Sequence, residues 1–218
     1  MDNALAILSA RLIAHRFIPR SDPLARRALV DEDFRRALEH RLNEVGLTLL
    51  ENPYAEHMAV GLMGEMEAFV FGEGEAWLSN NMNLPRDAIA LLVVLWALII
   101  LPKRERQVAR AEKEREGQSD MFGAEKPLVQ GEEVSVGVPE EALYADYRDK
   151  LGGKGRLNIN LGQLARLGFI ERRNKVILEG PLLDLMLDYS TLAPRVIEGA
   201  LGEVLKRRAE EAVQPTPD

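Results

Sequence analysis

The chain has 218 residues and a mass of 24.4 kDa, enough for one large domain or two small ones and for a substantial core. Charged residues make up 29% and hydrophobic residues 46%, which excludes wholesale disorder, collagen-like repeats and low-complexity composition. There is no cysteine, the three histidines (His15, His40, His57) are scattered, and the formal charge is -7. Disulfide frameworks and cysteine nucleophiles are therefore ruled out, no metal is expected, and any contact with a phosphate backbone must come from a local basic patch.

The N-terminal stretch MDNALAILSARLIAHRF carries its basic residues after its apolar run, the reverse of a secretory signal, so a cytoplasmic location is the default expectation. Leu5, Leu8, Leu12 and Ile13 recur at helical spacing within residues 4–18, and Pro19 with Pro23 then break the chain. A second helix is predicted from about Asp31 to a Gly46 cap, with Phe34, Leu38, Leu42 and Val45 as its apolar stripe. LTLLE, an Asn52-Pro53 turn and HMAVGLM follow as a hairpin. Helix, helix, hairpin is the order of a winged helix, and residues 1–80 read as an N-terminal winged-helix domain.

Residues 84–101 read as a buried helix opening a second domain, with Pro85 in its first turn. Its apolar run, Ala88 to Leu101, is 14 residues long, short of the ~20 that a bilayer requires, and no membrane contact is expected. Residues 102–138 read as a charged linker or insertion, able to prolong the preceding helix for several turns. In residues 139–213, a C-terminal winged-helix domain, a helix over Pro139–Leu151 is followed by a GGKG turn. A second helix then presents Leu157, Leu161, Leu164 and Leu167 up to Gly168. FIERR and KVILE form a hairpin with Asn174 at its tip, and PLLDLMLDY and LAPRVIEGALGEVLKRRAEEA read as two closing helices. Residues 214–218 read as a disordered tail. RLNEVGLTLLEN (from Arg41) and QLARLGFIERRN (from Gln163) match at an offset of 122 residues, each where a helix runs into a hairpin, a structural repeat. The expected fold is mainly α with small β-hairpin wings, in tandem winged-helix domains.

No GxSxG, HExxH or GxxxxGK[ST] pattern occurs, so no catalytic residue and no cofactor is expected. GGKG lacks the following Ser/Thr and the preceding strand of a phosphate loop, and reads as a flexible turn. Positive charge gathers in the second unit: Lys154, Arg156, Arg166, Arg172, Arg173 and Lys175. Its third helix would present Asn158, Gly162, Ala165 and Arg166 opposite the leucines, the face that enters a major groove while a wing touches phosphates. The alternative is a solvated basic face with no partner, and Arg166 alone there could read a base edge. The first unit's equivalent face, with Asp33, Arg36, Glu39, His40, Asn43 and Glu44, would repel phosphate as much as attract it. The peptide QSDMF resembles the pentapeptide by which bacterial replication proteins dock into the sliding clamp, through Gln118, Met121 and Phe122. The alternative is that Met121 and Phe122 pin the linker to the protein's own surface.

The chain resembles the kite subunits (kleisin-interacting tandem winged-helix elements) of bacterial SMC condensins, of the MukE and MksE type and the related Wadjet plasmid-defence subunit. Three segments carry the resemblance: DEDFRRALEHRLNEVGLTLLENPYAEHMAVGLM, LPRDAIALLVVLWALII and LNINLGQLARLGFIERRNKVILEGPLLDLM. It implies a non-enzymatic, nucleoid-associated homodimer that grips the kleisin and through it serves the SMC ATPase, with DNA-backbone contact as an adjunct. A tandem winged-helix transcriptional regulator binding its own operator is the competing reading.

Overall fold

Helix α1 (Asn3–His15) ends not at Pro19 but at Arg16, whose left-handed backbone (φ 70°) turns the chain into a short strand, β1 (Phe17–Pro19). The computed structural model describes residues 3–72, 82, 84–117, 137–187 and 189–198. Pro23, expected to break the chain, instead opens helix α2 (Pro23–Val30), where its missing N–H is no loss. Asp22 caps that helix by accepting from the Leu24 and Ala25 N–H groups at 3.0 and 3.3 Å. In α3 (Glu32–Asn43), capped by Asp31 through the Phe34 N–H at 3.0 Å, Phe34, Leu38 and Leu42 are buried as predicted. Val45, assigned to the same stripe, lies past the helix end and is exposed.

Gly46 (φ 74°) makes the left-handed turn into β2 (Leu47–Leu50), and β3 (His57–Leu62) returns antiparallel to it. β1 takes the other edge of β3, so the sheet order is β1-β3-β2. A 3-10 turn at Gly64–Met66 and the short helix α4 (Glu67–Phe71) close this unit, neither foreseen from sequence.

The second unit comprises α5 (Arg86–Gly117), β4 (Val138–Pro139), α6 (Glu140–Tyr147), α7 (Gly153–Arg166), β5 (Ile170–Arg173), β6 (Val176–Glu179) and α8 (Tyr189–Glu198). Helix, strand, helix, helix, hairpin thus occurs twice, and the sheet order β4-β6-β5 repeats the first. Gly168 (φ 86°) stands 122 positions after Gly46 and makes the same turn. The β5–β6 turn is Asn174-Lys175, both left-handed (φ 51° and 62°), the two-residue geometry that suits the twist of a hairpin.

The second unit also departs from the sequence reading within its helices. α5 runs through Pro102, and α6 stops at Tyr147 rather than Leu151. Gly153 to Gly155, taken as a turn, form the first turn of α7. The segment 181–187, expected to be helical, is a series of turns in which the Leu183 N–H donates to the Gly180 carbonyl (3.2 Å) and the Met186 N–H to that of Leu182 (3.0 Å).

From Leu91 to Leu101 every residue of α5 except Val93 is buried, the all-round burial expected of a uniformly apolar helix. It organises the larger of two apolar cores, with Trp96, Leu157, Leu161 and Phe169; the smaller holds Leu8, Leu12, Ile18, Phe34, Leu38 and Leu42. Ala59 of β3 belongs to the larger core, and Phe17 and Leu50 pack on it, so the first sheet is seated against the second unit.

A polar clamp reinforces this seam. Arg104 donates to Asp184 at 2.7 Å, with side chains 7% and 1% exposed, and its guanidinium lies over the Tyr54 and Tyr189 rings at 4.3 and 5.3 Å. Lys103 donates to both Glu179 oxygens at 3.0 and 2.9 Å. Burial pushes the Glu179 carboxyl up, against the pull of Lys103. Tyr54 comes from the β2–β3 loop, so the clamp ties both units to α5. Lys103 and Arg104, read from sequence as the start of the linker, are therefore part of the folded body. Gln118, Met121, Phe122 and the tail 214–218 lie outside the described residues. Among the described residues no helix is long and apolar enough to cross a membrane.

Candidate nucleic-acid interface

The second unit brings the six predicted cations onto α7 and the β5–β6 hairpin, and it brings carboxylates with them. Glu140 and Glu141 open α6, where negative charge suits a helix N-terminus. Pairing of β4 with β6, with the Glu140 N–H donating to the Lys175 carbonyl at 2.9 Å, lays that acidic turn beside the hairpin. Arg172 donates to Glu140 at 2.7 Å and to the Asn158 side-chain oxygen at 3.0 Å. The Glu140 hydrogen bond holds the Arg172 pKa above its ordinary value. Lys175 lies 3.8 Å from Glu141, and Arg173 pairs with Glu171 on its own strand.

At the start of α7, Arg156 donates to Asp87 of α5 at 3.0 Å. Gly152 (φ 83°) makes room for that pair, since a Cβ there would sit 2.5 Å from the Arg156 Cδ and 3.2 Å from the Asp87 carboxylate. Lys154 lies over the Tyr144 ring at 5.5 Å, and Arg166 is exposed at the other end of the helix. Among the described residues, no carboxylate partner accompanies these two.

The outward face of α7 also differs from the expected one. Ala165 packs partly on the core, and Asn158 is engaged by Arg172. The centre of the face is Ile159, 69% exposed, with the open positions Gly155 and Gly162. An apolar side chain flanked by glycines offers base edges no hydrogen-bond donor. Exposed ion pairs are individually weak, of order 0 to 1 kcal/mol, so a phosphate could compete for any one of these arginines. Three of the six cations, Arg156, Arg172 and Arg173, nevertheless start in close contact with a carboxylate, which reduces the long-range attraction a polyanion would feel. Sequence reasoning found the cations and missed their partners; the signal within reach was the acidic pair Glu140-Glu141 in the first turn of a predicted helix.

Among the described residues there is no group of three or more His, Cys, Asp or Glu arranged to hold a metal ion. No protein-family model matches the chain, and no curated protein matches it.

Proposed function

We propose that the chain is a kite subunit of a bacterial SMC condensin-like complex: a non-enzymatic, tandem winged-helix homodimer that binds the kleisin and through it supports DNA loading by the SMC ATPase. The observation that carries this reading is the twofold occurrence of helix, strand, helix, helix, hairpin with the same sheet order, fused through one buried helix. That architecture supports a rigid scaffold with two wing-bearing units. The neutralised face of α7 and its hairpin supports a protein-binding role over that of a tandem winged-helix transcriptional regulator, which needs free base-reading side chains.

Two tests bear on the proposal: whether genes for a kleisin-like protein and a long coiled-coil ATPase lie beside its own, and co-expression with those products. The expected result is a stable ternary complex, with the free subunit giving about twice 24.4 kDa by light scattering. A subunit that stays monomeric at micromolar concentration and ignores the kleisin would overturn it. DNA contact, in this reading, is sequence-blind and carried by Lys154 and Arg166. Replacing both with glutamate should weaken binding equally across sequences and flatten its salt dependence. Retention of one operator with loss of random DNA would favour the regulator.

A further inference from the structure

The end of the first unit departs from the rest of the surface in both charge and polarity. Between Arg41 and Arg86 the chain contains no lysine or arginine and seven glutamates. Within this stretch α4 exposes three consecutive large apolar side chains, Phe69 at 85%, Val70 at 55% and Phe71 at 49%. Three neighbours on a helix point about 100° apart, so they form a projecting knob and not a stripe that could close onto the protein's own core.

The knob stands on a fixed base. The Met63 N–H donates to the Gly46 carbonyl at 3.0 Å, and the Met66 side chain covers Gly46, where a Cβ would come within 3.1 Å of it. Val45, 59% exposed, precedes that contact, and exposed Glu44, Glu65 and Glu67 lie along the same turn and helix. Apolar side chains displayed on an ordered base, with exposed glutamates beside them in the chain, mark an interaction surface.

We propose that this knob docks a cationic segment of a partner polypeptide, one that surrounds Phe69 and Phe71 with apolar side chains and meets Glu65 and Glu67 with lysine or arginine. Charge complementarity selects this occupant. A second copy of the chain would bring glutamates against glutamates across a twofold interface, and a nucleic acid or an anionic bilayer would meet the same repulsion. The inference needs no kleisin, so it stands or falls separately from the kite reading.

The test uses the full-length protein and two labelled peptides with leucines at the same helical spacing, one completed with lysine and one with glutamate, followed by fluorescence anisotropy at physiological salt. The lysine peptide is expected to bind at least about tenfold more tightly than the glutamate peptide. The variant Phe69→Ser with Phe71→Ser should lose about tenfold of that affinity at an unchanged melting temperature, because both side chains are already solvent-exposed. Glu65→Gln with Glu67→Gln should weaken the lysine peptide and reduce its salt dependence. Equal binding by the wild type and the serine variant would reduce the effect to bulk charge and overturn the proposal. So would a dimer that becomes monomeric on the serine substitutions, since the knob would then be a self-interface. A tenfold gain in peptide affinity in the full chain carrying Lys206→Glu, Arg207→Glu and Arg208→Glu would also overturn it, because the chain's own C-terminal segment would then be the occupant.

Discussion

The two units share one topology and use it oppositely. In the first, α3 packs a fully apolar stripe, and the segment after β3 is acidic and displays aromatic side chains. In the second, α7 buries Asn160 among leucines, Arg172 of the hairpin is matched by Glu140 of α6, and Arg156 of α7 by Asp87 of α5. The position 122 residues before Asn160 is Leu38. The two units thus share the glycine turns and most core leucines, and they differ where side chains meet solvent and at the buried Leu38–Asn160 position. The comparison teaches that a shared helix-and-hairpin topology does not fix the charge of the surface it displays; the carboxylates that the fold brings beside each cation do.

The seam is where the comparison can be broken hardest. Asp184→Ala leaves Arg104 buried without its carboxylate, and removing one member of a buried pair costs about 3 to 5 kcal/mol. In a chain of this size that is a fall of roughly 10 °C in melting temperature. Joint replacement of Arg104 by Met and Asp184 by Leu should recover most of it, since neither charge is then stranded. An unchanged melting temperature for Asp184→Ala would show that the clamp does not hold the units together.

Leu42 and Leu164 occupy matched positions and are both fully buried. Replacing either with alanine should cost about 2 to 5 kcal/mol. Because Phe17, Leu50 and Ala59 join the second core, each variant should lower one shared calorimetric transition. Two separated transitions would mean that the halves unfold independently.

What could be read in the sequence and what could not divides along physical lines. α3, the leucines of α7, the apolar α5, and the turns at Gly46, Gly168 and Asn174 were legible because each rests on local spacing or on one residue's backbone preference. β1 and β4 were not, because strands of two or three residues carry no period and are defined only by pairing to β3 and β6. α2 was hidden because a proline at a first helical turn and a proline that breaks a helix look alike without the Asp22 cap. For the candidate interface the six cations were legible and their state was not. Arg172 meets Glu140 across 32 residues and Arg156 meets Asp87 across 69, contacts that only the fold creates.

A reciprocal exchange sharpens the Leu38–Asn160 contrast. Among the described residues the buried Asn160 Nδ2 has no hydrogen-bond partner, a cost of about 1 to 3 kcal/mol. Asn160→Leu should therefore stabilise the protein by about 1 kcal/mol once part of that gain is spent on fitting a larger side chain. Leu38→Asn should destabilise it by more than that, since it buries an amide in an apolar stripe. If Asn160→Leu is destabilising while Leu38→Asn is tolerated, the amide is engaged in a contact that the first unit does not need.

The smallest expected effect concerns His57, which lies on β3 with its ring edge-on to Phe17 at 5.8 Å between centroids. Burial lowers its pKa below the ordinary 6.5, Lys103 adds to the lowering, and Glu56 and Glu171 oppose it. Lys103 and Glu171 belong to the second unit, so His57 reports on the seam from the first. With the folded pKa below the unfolded one, the unfolded chain binds the extra proton, and stability rises with pH. The contribution is fully present above about pH 6.5 and is lost as pH falls from there towards the folded value, where the loss levels off. Glu179, with its carboxyl raised by burial, acts in the opposite direction: its contribution is lost as pH rises from its unfolded value of 4.5 towards its folded one. The two are separated by difference. Melting temperatures of the wild type and of His57→Gln, measured from about pH 7.5 to about pH 5.5, should diverge, with the wild type falling more steeply below about 6.5. Parallel curves would mean that His57 is as well solvated in the folded protein as in the unfolded chain, and that the seam around Phe17 is open to water.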